Sequence, residues 1–341
     1  MGKVQGWNSY VGFGNQAALA TAVTPTKYQH CDYGVNLAEI RTGRSVVPGI
    51  IKSREFKTSR KSQISVAGSI PMVLRPDDYA GGRFWASLGM VNTVAGDADL
   101  GYTHSFTEAG TKATLPLYGE TIEVYKGGAD TNTLAKYIGM FVKRAVLNIP
   151  EEGVVMLNTD WVGVKETLTG TVQTPSYTTV APFESWMLKV EVGASLAALS
   201  AINVKDLTID WDTMVTLGHQ HNGSSQYPTY VSWDIPVIKI SFNKVLEDDY
   251  GTYYNYFKND TENAVQITLT HTVLSGNNAG SEYEYIFKFP RVVWTGGTPA
   301  VDNEGALNLP LTFQAMEEQS SYNYTVNFSI KNSESGTYAI S

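Results

Sequence analysis

Two sets of adjacent carboxylates are the most suggestive chemical groups in the sequence. An Asp-Asp-Tyr triplet at 77–79 recurs at 248–250, each time after a strand-like run and before an aromatic segment. Paired carboxylates can serve as general acid and general base. Adjacent residues at the start of a helix diverge, however, and a carboxylate there accepts hydrogen bonds from the free N–H groups of the first turn. We therefore expect helix capping at both triplets.

Other side chains with chemical potential lack the partners that catalysis or metal binding requires. His219 and His221 stand in a polar loop and supply at most two metal ligands, with no third identifiable. His271 lies on the apolar face of a predicted strand, where a structural role is expected. Residues 12–14 (Gly-Phe-Gly) lack the third glycine of a dinucleotide fingerprint. Cys31 is the only cysteine, so the sequence predicts no catalytic, metal or cofactor site.

A run of basic residues within 37–61 is the strongest local charge feature. It either contacts phosphates or docks on an acidic surface of a second copy. Docking is favoured, because the run contains a single aromatic residue for base stacking, Phe56, and the chain has a net charge of −8. The predicted contact residues are Arg41, Arg44, Lys52, Arg54, Lys57, Arg60 and Lys61.

An acidic strand face is the second charge feature. Asp206, Asp210 and Asp212 alternate with apolar residues and share their face with Thr208. A polar strand face is usually only the solvent side of a sheet. An acidic face can also line a channel that must not bind DNA, and the sequence leaves both interpretations open.

Composition indicates a β-rich protein of about two domains. The 341 residues are 43% hydrophobic and 17% charged, with 31 Gly and many Tyr, Thr and Val. A single cysteine excludes an internal disulfide and favours synthesis in a cytosol. Neither a signal peptide nor an apolar run of membrane-spanning length is expected.

Four landmarks occur in the same order in both halves: a long loop, a strand into the triplet, a glycine-turned hairpin and a strand after Glu-Gly. A repeat at half the chain length indicates a duplicated domain. Aligned on the triplets, the preceding strands are out of step by one residue, which requires a bulge or a gap. The prediction is a mainly β fold: an N-terminal arm at 1–36, a β-sandwich or barrel domain at 37–170, a linker at 171–185, and a second such domain at 186–341 with an extra C-terminal strand, each domain being flanked by a short α-helix.

Five stretches together carry a family resemblance. They are residues 10–26 (YVGFGNQAALATAVTPT), residues 64–89, residues 137–163 (YIGMFVKRAVLNIPEEGVVMLNTDWVG), the linker sequence SYTTVAPF, and residues 203–212 (NVKDLTIDWD). In this order they resemble the tail tube proteins of siphophages, the phages with long, non-contractile tails.

The resemblance implies a structural virion protein whose neighbouring sheets join into a ring. Rings would stack into a tube that conducts the viral DNA without binding it specifically. The family's usual ring has six single domains, so two domains per chain imply three chains per ring with pseudo-sixfold symmetry. The implied partners are further copies of the chain, the tape measure protein, and the tail terminator and distal tail proteins, with no membrane. The implied location is the tail, after synthesis in the host cytoplasm.

Two segments are expected to make contacts between rings, and two other functions are kept as alternatives to the tube. The N-terminal arm and the 41–61 loop are expected to cross to the adjacent ring. A receptor-binding or baseplate β-sandwich protein would instead use loops such as 218–228 as its contact surface. A β-rich hydrolase would use Asp77, Asp78 or His271, although no residue spacing supports it.

Overall fold

The structure is a computed structural model, and most of the basic run and the second Asp-Asp pair lie outside the residues it describes. The chain is mainly β, as predicted. The described residues are 9–32, 34–41, 45–47, 58–60, 63–108, 115–127, 134–168, 170–219, 226–245, 250–273, 282–297, 308–319 and 321–338.

Strands in the first half follow from alternation of apolar and polar residues. In the strand that contains Ile64 and Ile70, the side chains at 64, 66, 70 and 72 are buried and the positions between them are half-exposed. The strands of this half are β1 (Tyr10–Asn15), β2 (Lys27–Gln29), β3 (Ala38–Arg41), β4 (Ser45–Val47), β5 (Thr58–Arg60), β6 (Ile64–Val73), β7 (Met90–Asp97), β8 (Gly101–Glu108), β9 (Glu120–Tyr125), β10 (Leu134–Ile149), β11 (Met156–Gly163) and β12 (Lys165–Thr167).

The second half contains ten strands and the α-helix of the described chain, α1 (Tyr250–Lys258). The strands are β13 (Leu188–Gly193), β14 (Leu199–Ile202), β15 (Val204–Asp212), β16 (Thr216–Gly218), β17 (Tyr230–Ser232), β18 (Val237–Val245), β19 (Asn263–Val273), β20 (Glu282–Gly296), β21 (Asn308–Ala315) and β22 (Asn327–Asn332).

The two halves pair their strands in the same order. In the first half the antiparallel order is β3-β6-β11-β10-β9-β1-β2. In the second half it is β15-β18-β21-β20-β19-β13-β14. A small hairpin, β4–β5 or β16–β17, is inserted at the same place in each half, between the third and fourth of these seven strands in chain order.

Both halves also share a bulge in their long hairpin. In β10 it lies between Tyr137 and Met140, where three steps of β10 face two steps of β9. In β20 it lies between Phe289 and Val292, opposite β19, with the same spacing. Bulges fix strand register, so Tyr137 corresponds to Phe289 and Met140 to Val292.

A second shared bulge follows the first at the same distance. It lies between Val142 and Arg144 of β10, opposite β11, and between Trp294 and Gly296 of β20, opposite β21. Two coincident bulges make the correspondence of the long strands unambiguous. Arg144 therefore corresponds to Gly296.

This correspondence explains the one-residue mismatch that the triplets show in sequence. Pairing carried from β10 through β11 to β6, and from β20 through β21 to β18, makes Met72 the counterpart of Lys244. Asp77 lies one residue further from Met72 than Asp248 lies from Lys244. The first half therefore has one extra residue between the strand and the triplet, which is the gap that the sequence requires.

Within the described residues, two strand pairings join the two halves. β10 pairs with β15, and β22, which lies along β20, also pairs with β8. One hydrophobic core runs through both halves. Trp85 is part of the contact, with its ring centroid 5.3 Å from that of Phe287 and 5.0 Å from that of Phe328. The division of the chain into two tandem domains stays a prediction.

The flanking helix of the first half differs from the expectation. It is a 3-10 helix, Arg83–Leu88, whose N-cap is Gly82 and which has no side-chain cap. Glycine at its start disfavours an α-helix, and all six residues of the helix are buried, so packing rather than propensity holds it. The predicted capping by Asp77 or Asp78 is wrong.

Three other segments contribute to the sheets or to the core. Residues 90–108 form the β7–β8 hairpin. Part of the predicted N-terminal arm belongs to the sheet instead, because β1 pairs with β9 and its Phe13 is fully buried. The predicted linker contains Phe183, which is also buried and bonds through its backbone to Leu74 and Val155. The small residues after Phe13 and the Thr-, Ser- and Pro-rich sequence before Phe183 gave no sign in the sequence that these two side chains are buried.

Candidate assembly and lumen surfaces

A continuous polar sheet face crosses the junction between the halves. It belongs to the adjacent strands β6, β11, β10, β15, β18 and β21. In β15 the residues Leu207, Ile209 and Trp211 are buried, whereas the three aspartates at 206, 210 and 212 are half-exposed on the opposite face. The predicted acidic strand face is therefore in the middle of a six-stranded surface.

Each of the three aspartates has a polar partner. Asp210 accepts two hydrogen bonds from the guanidinium of Arg144, and these bonds raise the pKa of Arg144. Asp206 accepts hydrogen bonds from the backbone N–H and the side-chain amide of Asn243. The Oδ1 atom of Asp212 accepts from the backbone N–H of Met214 at 2.9 Å. The aspartates are held in place by the sheet and its neighbouring loop.

The same face is mostly polar along strands β10, β15, β18 and β21. A shallow depression of about 440 Å³ crosses it, lined on one side by β10 and β15 and on the other by β18 and β21. Amide, hydroxyl and carboxylate groups line it, with no nucleophile–base pair among them. The lining includes Asn148, Glu151, Asp206, Thr208, Asn243 and Thr312.

Only part of the basic run lies within the described residues. Arg41, at the end of β3, is exposed and donates from Nε to Oε1 of Glu39 at 2.8 Å. Arg60 ends β5, which pairs with β4, so the expected extended hairpin exists. The side chain of Arg60 and the residues Arg44, Lys52, Arg54, Lys57 and Lys61 lie outside the described part of the chain.

One edge of β3 is a surface that sequence reasoning missed. Among the described strands β3 pairs with β6 alone, and its Ile40 is 45% exposed. Its counterpart in the second half, β15, pairs on one edge with β18 and on the other with β10. A bare strand edge is a template for a further strand. The signal in the sequence was an apolar residue, Ile40, between the charged Glu39 and Arg41.

Exposed aromatic and aliphatic side chains add to this surface inventory. Trp186 is 74% exposed, and its indole N–H bonds to Glu184. Ile235 is 80% exposed. Single exposed apolar residues are common, but an almost fully exposed tryptophan is the type of residue that association between proteins buries.

The first Asp-Asp pair has a structural role. Asp78 is buried and accepts from the backbone N–H of His30 and of Thr178, and its Oδ2 lies 2.6 Å from His30 Nδ1. Asp77, with a φ of 64°, accepts from the hydroxyl of Tyr283 at 2.9 Å. The two carboxylates diverge, and Asp77 bonds to the other half of the chain.

Of the histidines singled out in the sequence, His271 has a structural role. His271 is buried, its Nε2 lies 3.2 Å from the carbonyl oxygen of Pro182, and burial lowers its pKa. His219 is described and His221 is not. Within the described residues no group of three or more His, Cys, Asp or Glu side chains is placed to hold a metal ion.

A comparison with known families identifies a match. A family model described as "Phage tail tube protein" matches residues 6–315, which is most of the chain and includes both halves. No curated protein matches the sequence. In the described residues, no helix has the length and apolar character needed to span a membrane.

Proposed function

Because the chain belongs to the phage tail tube protein family, a structural family of the virion tail, we propose that it polymerises as stacked rings of three copies. The stack is the tail tube through which DNA is ejected into the host. Each copy contributes two equivalent sheet units, so that three chains give a ring with pseudo-sixfold symmetry.

Two observations support this proposal: the strand order is repeated, and the two repeated units are already joined edge to edge within one chain. Seven strands recur in the same order with the same two bulges. The first unit joins the second through β10 and β15 within one chain. A ring needs the same junction between chains, and the family match covers both units.

We assign to the lumen the polar face that is formed by strands β6, β11, β10, β15, β18 and β21. Asp206, Asp210 and Asp212 lie on this face together with the basic side chains of Arg144 and of Lys239, which is opposite Asp210. A lumen that is neutral or negative does not retain phosphates, so that DNA can slide. The whole chain, at a net charge of −8, has the same sign.

We assign the β4–β5 hairpin and its basic residues to contacts between rings. The hairpin is inserted in the sequence between β3 and β6, and the run from Arg41 to Lys61 has a charge opposite to that of the chain as a whole. Complementary charge sets orientation and register between copies. Family membership further suggests the tape measure, tail terminator and distal tail proteins as partners.

Negative-stain electron microscopy of the purified protein tests the proposed function. Hollow tubes or short stacks of rings are expected at high protein concentration. A protein that stays monomeric at every concentration would exclude the tube role. Discrete particles of fixed size would favour a receptor-binding or baseplate protein instead.

A further inference from the structure

The chain that follows β22 crosses from the second half onto the first half. We refer to residues 333–338 as the strap. Glu334 is half-buried, Tyr338 is buried, and the other four residues of the strap are exposed. The ring centroid of Tyr338 lies 4.3 Å from that of His104 and 6.2 Å from that of Phe106, both on β8. The strap is therefore an exposed segment whose far end is anchored in the first half.

The anchor at Tyr338 is built from both halves. The backbone N–H of Tyr338 donates to Oδ1 of Asn92 on β7 at 2.8 Å. The phenol oxygen accepts from the side-chain amide of Asn332 on β22 at 2.7 Å. A Cβ at Gly82 would lie 2.2 Å from the phenol oxygen, so the absence of a side chain there leaves room for the ring.

The start of the strap is tied to charged groups of the first half. The backbone N–H of Ser333 donates to Oδ1 of Asp77 at 3.0 Å. The carboxylate of Glu334 forms an ion pair with the ammonium group of Lys27 on β2. Both side chains of this pair are partly exposed, so the pair contributes little to closure of the strap.

His104 lies under the strap and is fully buried. Its Nε2 lies 2.8 Å from the carbonyl oxygen of Glu334, so the neutral ring carries its proton on Nε2 and donates to the strap. Its Nδ1 lies 3.5 Å from Oδ1 of Asn92, an oxygen that already accepts from the backbone of Tyr338. A second proton on the ring would therefore be poorly solvated while the strap is closed.

We propose that the strap is a pH-sensitive latch: it is closed while His104 is neutral, and protonation of His104 in mildly acidic solution releases residues 333–338 from β7 and β8 while the sheets stay folded. This device lies within one chain and does not depend on the proposed ring or tube.

The sign of the effect follows from the burial of His104. Burial lowers the pKa of His104 to about 4, although the hydrogen bond with Asn332 and the charge of Asp77 oppose the shift. An imidazole exposed by opening of the strap has a pKa of about 6.5. The open form thus binds the proton more tightly. Closure has its full strength above pH 6.5 and weakens about tenfold for each unit of pH down to about pH 4, roughly 300-fold in all.

The other titratable groups at the strap must be distinguished from His104. The carboxylates of Asp77 and Glu334 also gain protons in acid, which weakens their bonds to Ser333 and Lys27 in the same direction. The phenol of Tyr338 stays neutral, since burial raises its pKa. Variants at the two carboxylates therefore accompany the variant at His104.

Hydrogen exchange of the unmodified protein measures opening of the strap. The backbone N–H groups of Ser333, Glu334 and Tyr338 are hydrogen-bonded when the strap is closed. Their protection, corrected for the intrinsic pH dependence of exchange, should fall about tenfold for each unit of pH between 6.5 and 4. The amides of β10 should keep their protection. Constant protection of the strap over this range, or a parallel loss in β10, would overturn the latch.

Three variants assign the effect to His104. His104→Gln keeps an N–H donor for the carbonyl oxygen of Glu334 without the titration, and its strap should lose far less protection in acid. Glu334→Gln and Asp77→Asn should keep the wild-type pH dependence. The role of His104 would be refuted by a dependence that persists in His104→Gln or that disappears in either carboxylate variant.

Tyr338→Ala provides a test that leaves His104 in place. Removing the ring uncovers the imidazole, so the strap should be unprotected at every pH between 4 and 7. Protection equal to that of the wild-type protein would show that Tyr338 is not the anchor and would contradict the latch.

Discussion

Arg144 of β10 and Asp210 of β15 form a two-pronged ion pair across the seam between the halves, with Nε–Oδ1 and Nη2–Oδ2 both at 2.8 Å. The planar guanidinium matches the carboxylate in this geometry. Both side chains remain partly exposed, at 49% and 29%. The pair therefore contributes modestly to stability, next to the backbone hydrogen bonds between β10 and β15.

The first prediction concerns this pair. A double-mutant cycle of Arg144→Met and Asp210→Asn should give a coupling free energy of roughly 0.5–1 kcal/mol, because exposed pairs are screened by solvent. Denaturant unfolding at low and high salt measures it, and the coupling should shrink in high salt. The Arg291–Glu262 pair, within the second half, is the matched control. A coupling free energy of several kcal/mol that does not change with salt would contradict the modest, solvent-screened contribution predicted for this pair.

The second prediction compares two tryptophans. Trp85 is 2% exposed and packs on aromatic rings of the other half, so Trp85→Ala should destabilise the monomer by about 3–5 kcal/mol. Trp186 is 74% exposed, and Trp186→Ala should change monomer stability by less than about 0.5 kcal/mol. Urea unfolding of dilute protein distinguishes them. A loss for Trp85→Ala as small as the loss expected for Trp186→Ala would mean that the Trp85 contact does not hold the halves together.

The third prediction is a pH dependence. Burial raises the pKa of Glu120 to about 7, although Arg83 lies 3.6 Å away and opposes the shift. The folded state thus binds a proton more tightly than the unfolded chain, so this group's contribution is favourable below the ordinary carboxyl pKa and is lost as pH rises through about 7.

Unfolding free energies at pH 5 and pH 8 check this sign. Relative to wild type, Glu120→Gln should remove a pH-dependent loss on the order of 3 kcal/mol. Glu152→Gln, at an exposed position, is the control and should leave the pH dependence as it is. The contrary result is an equal change in unfolding free energy between pH 5 and pH 8 for the wild-type protein and for Glu120→Gln. It would show that the buried carboxyl group of Glu120 does not titrate in this range.

The fourth prediction addresses the basic hairpin. Combined reversal by Arg54→Glu, Lys57→Glu and Arg60→Glu should leave rings intact but shorten the tubes severalfold, because charge between rings sets their docking. Tube lengths in micrographs measure the effect. A charge-conserving triple variant (Arg54→Lys, Lys57→Arg, Arg60→Lys) should assemble as wild type. Normal tube lengths in the reversed variant would exclude the docking role.

The fifth prediction addresses the lumen. Phage particles whose tube carries Asp212→Lys should eject DNA more slowly, by severalfold at low salt, since a cationic lumen attracts phosphates. Asp99→Lys places the same charge change on the exposed turn between β7 and β8 and should have no effect. Ejection at the wild-type rate with Asp212→Lys would place this sheet face away from the lumen.

Sequence alone reached the β class, the family and the repeated order of landmarks, because alternation and turn chemistry are local signals. It misplaced β1, since the small residues that follow Phe13 gave no sign that β9 covers it. It also assigned capping to Asp77, whose partner Tyr283 lies in the other half of the chain. For the edge of β3 that no described strand pairs with, the sequence offered one local signal, the apolar Ile40 between Glu39 and Arg41, because the strands beside an edge come from distant parts of the chain.

The number of chains per ring tests the central claim most directly. A cryo-electron microscopy reconstruction of assembled tubes counts the chains and traces the sheets around the lumen. Three copies per ring, with six similar sheet units around the lumen, is the predicted result. Six copies per ring, or three copies whose second units lie outside the lumen wall, would contradict it.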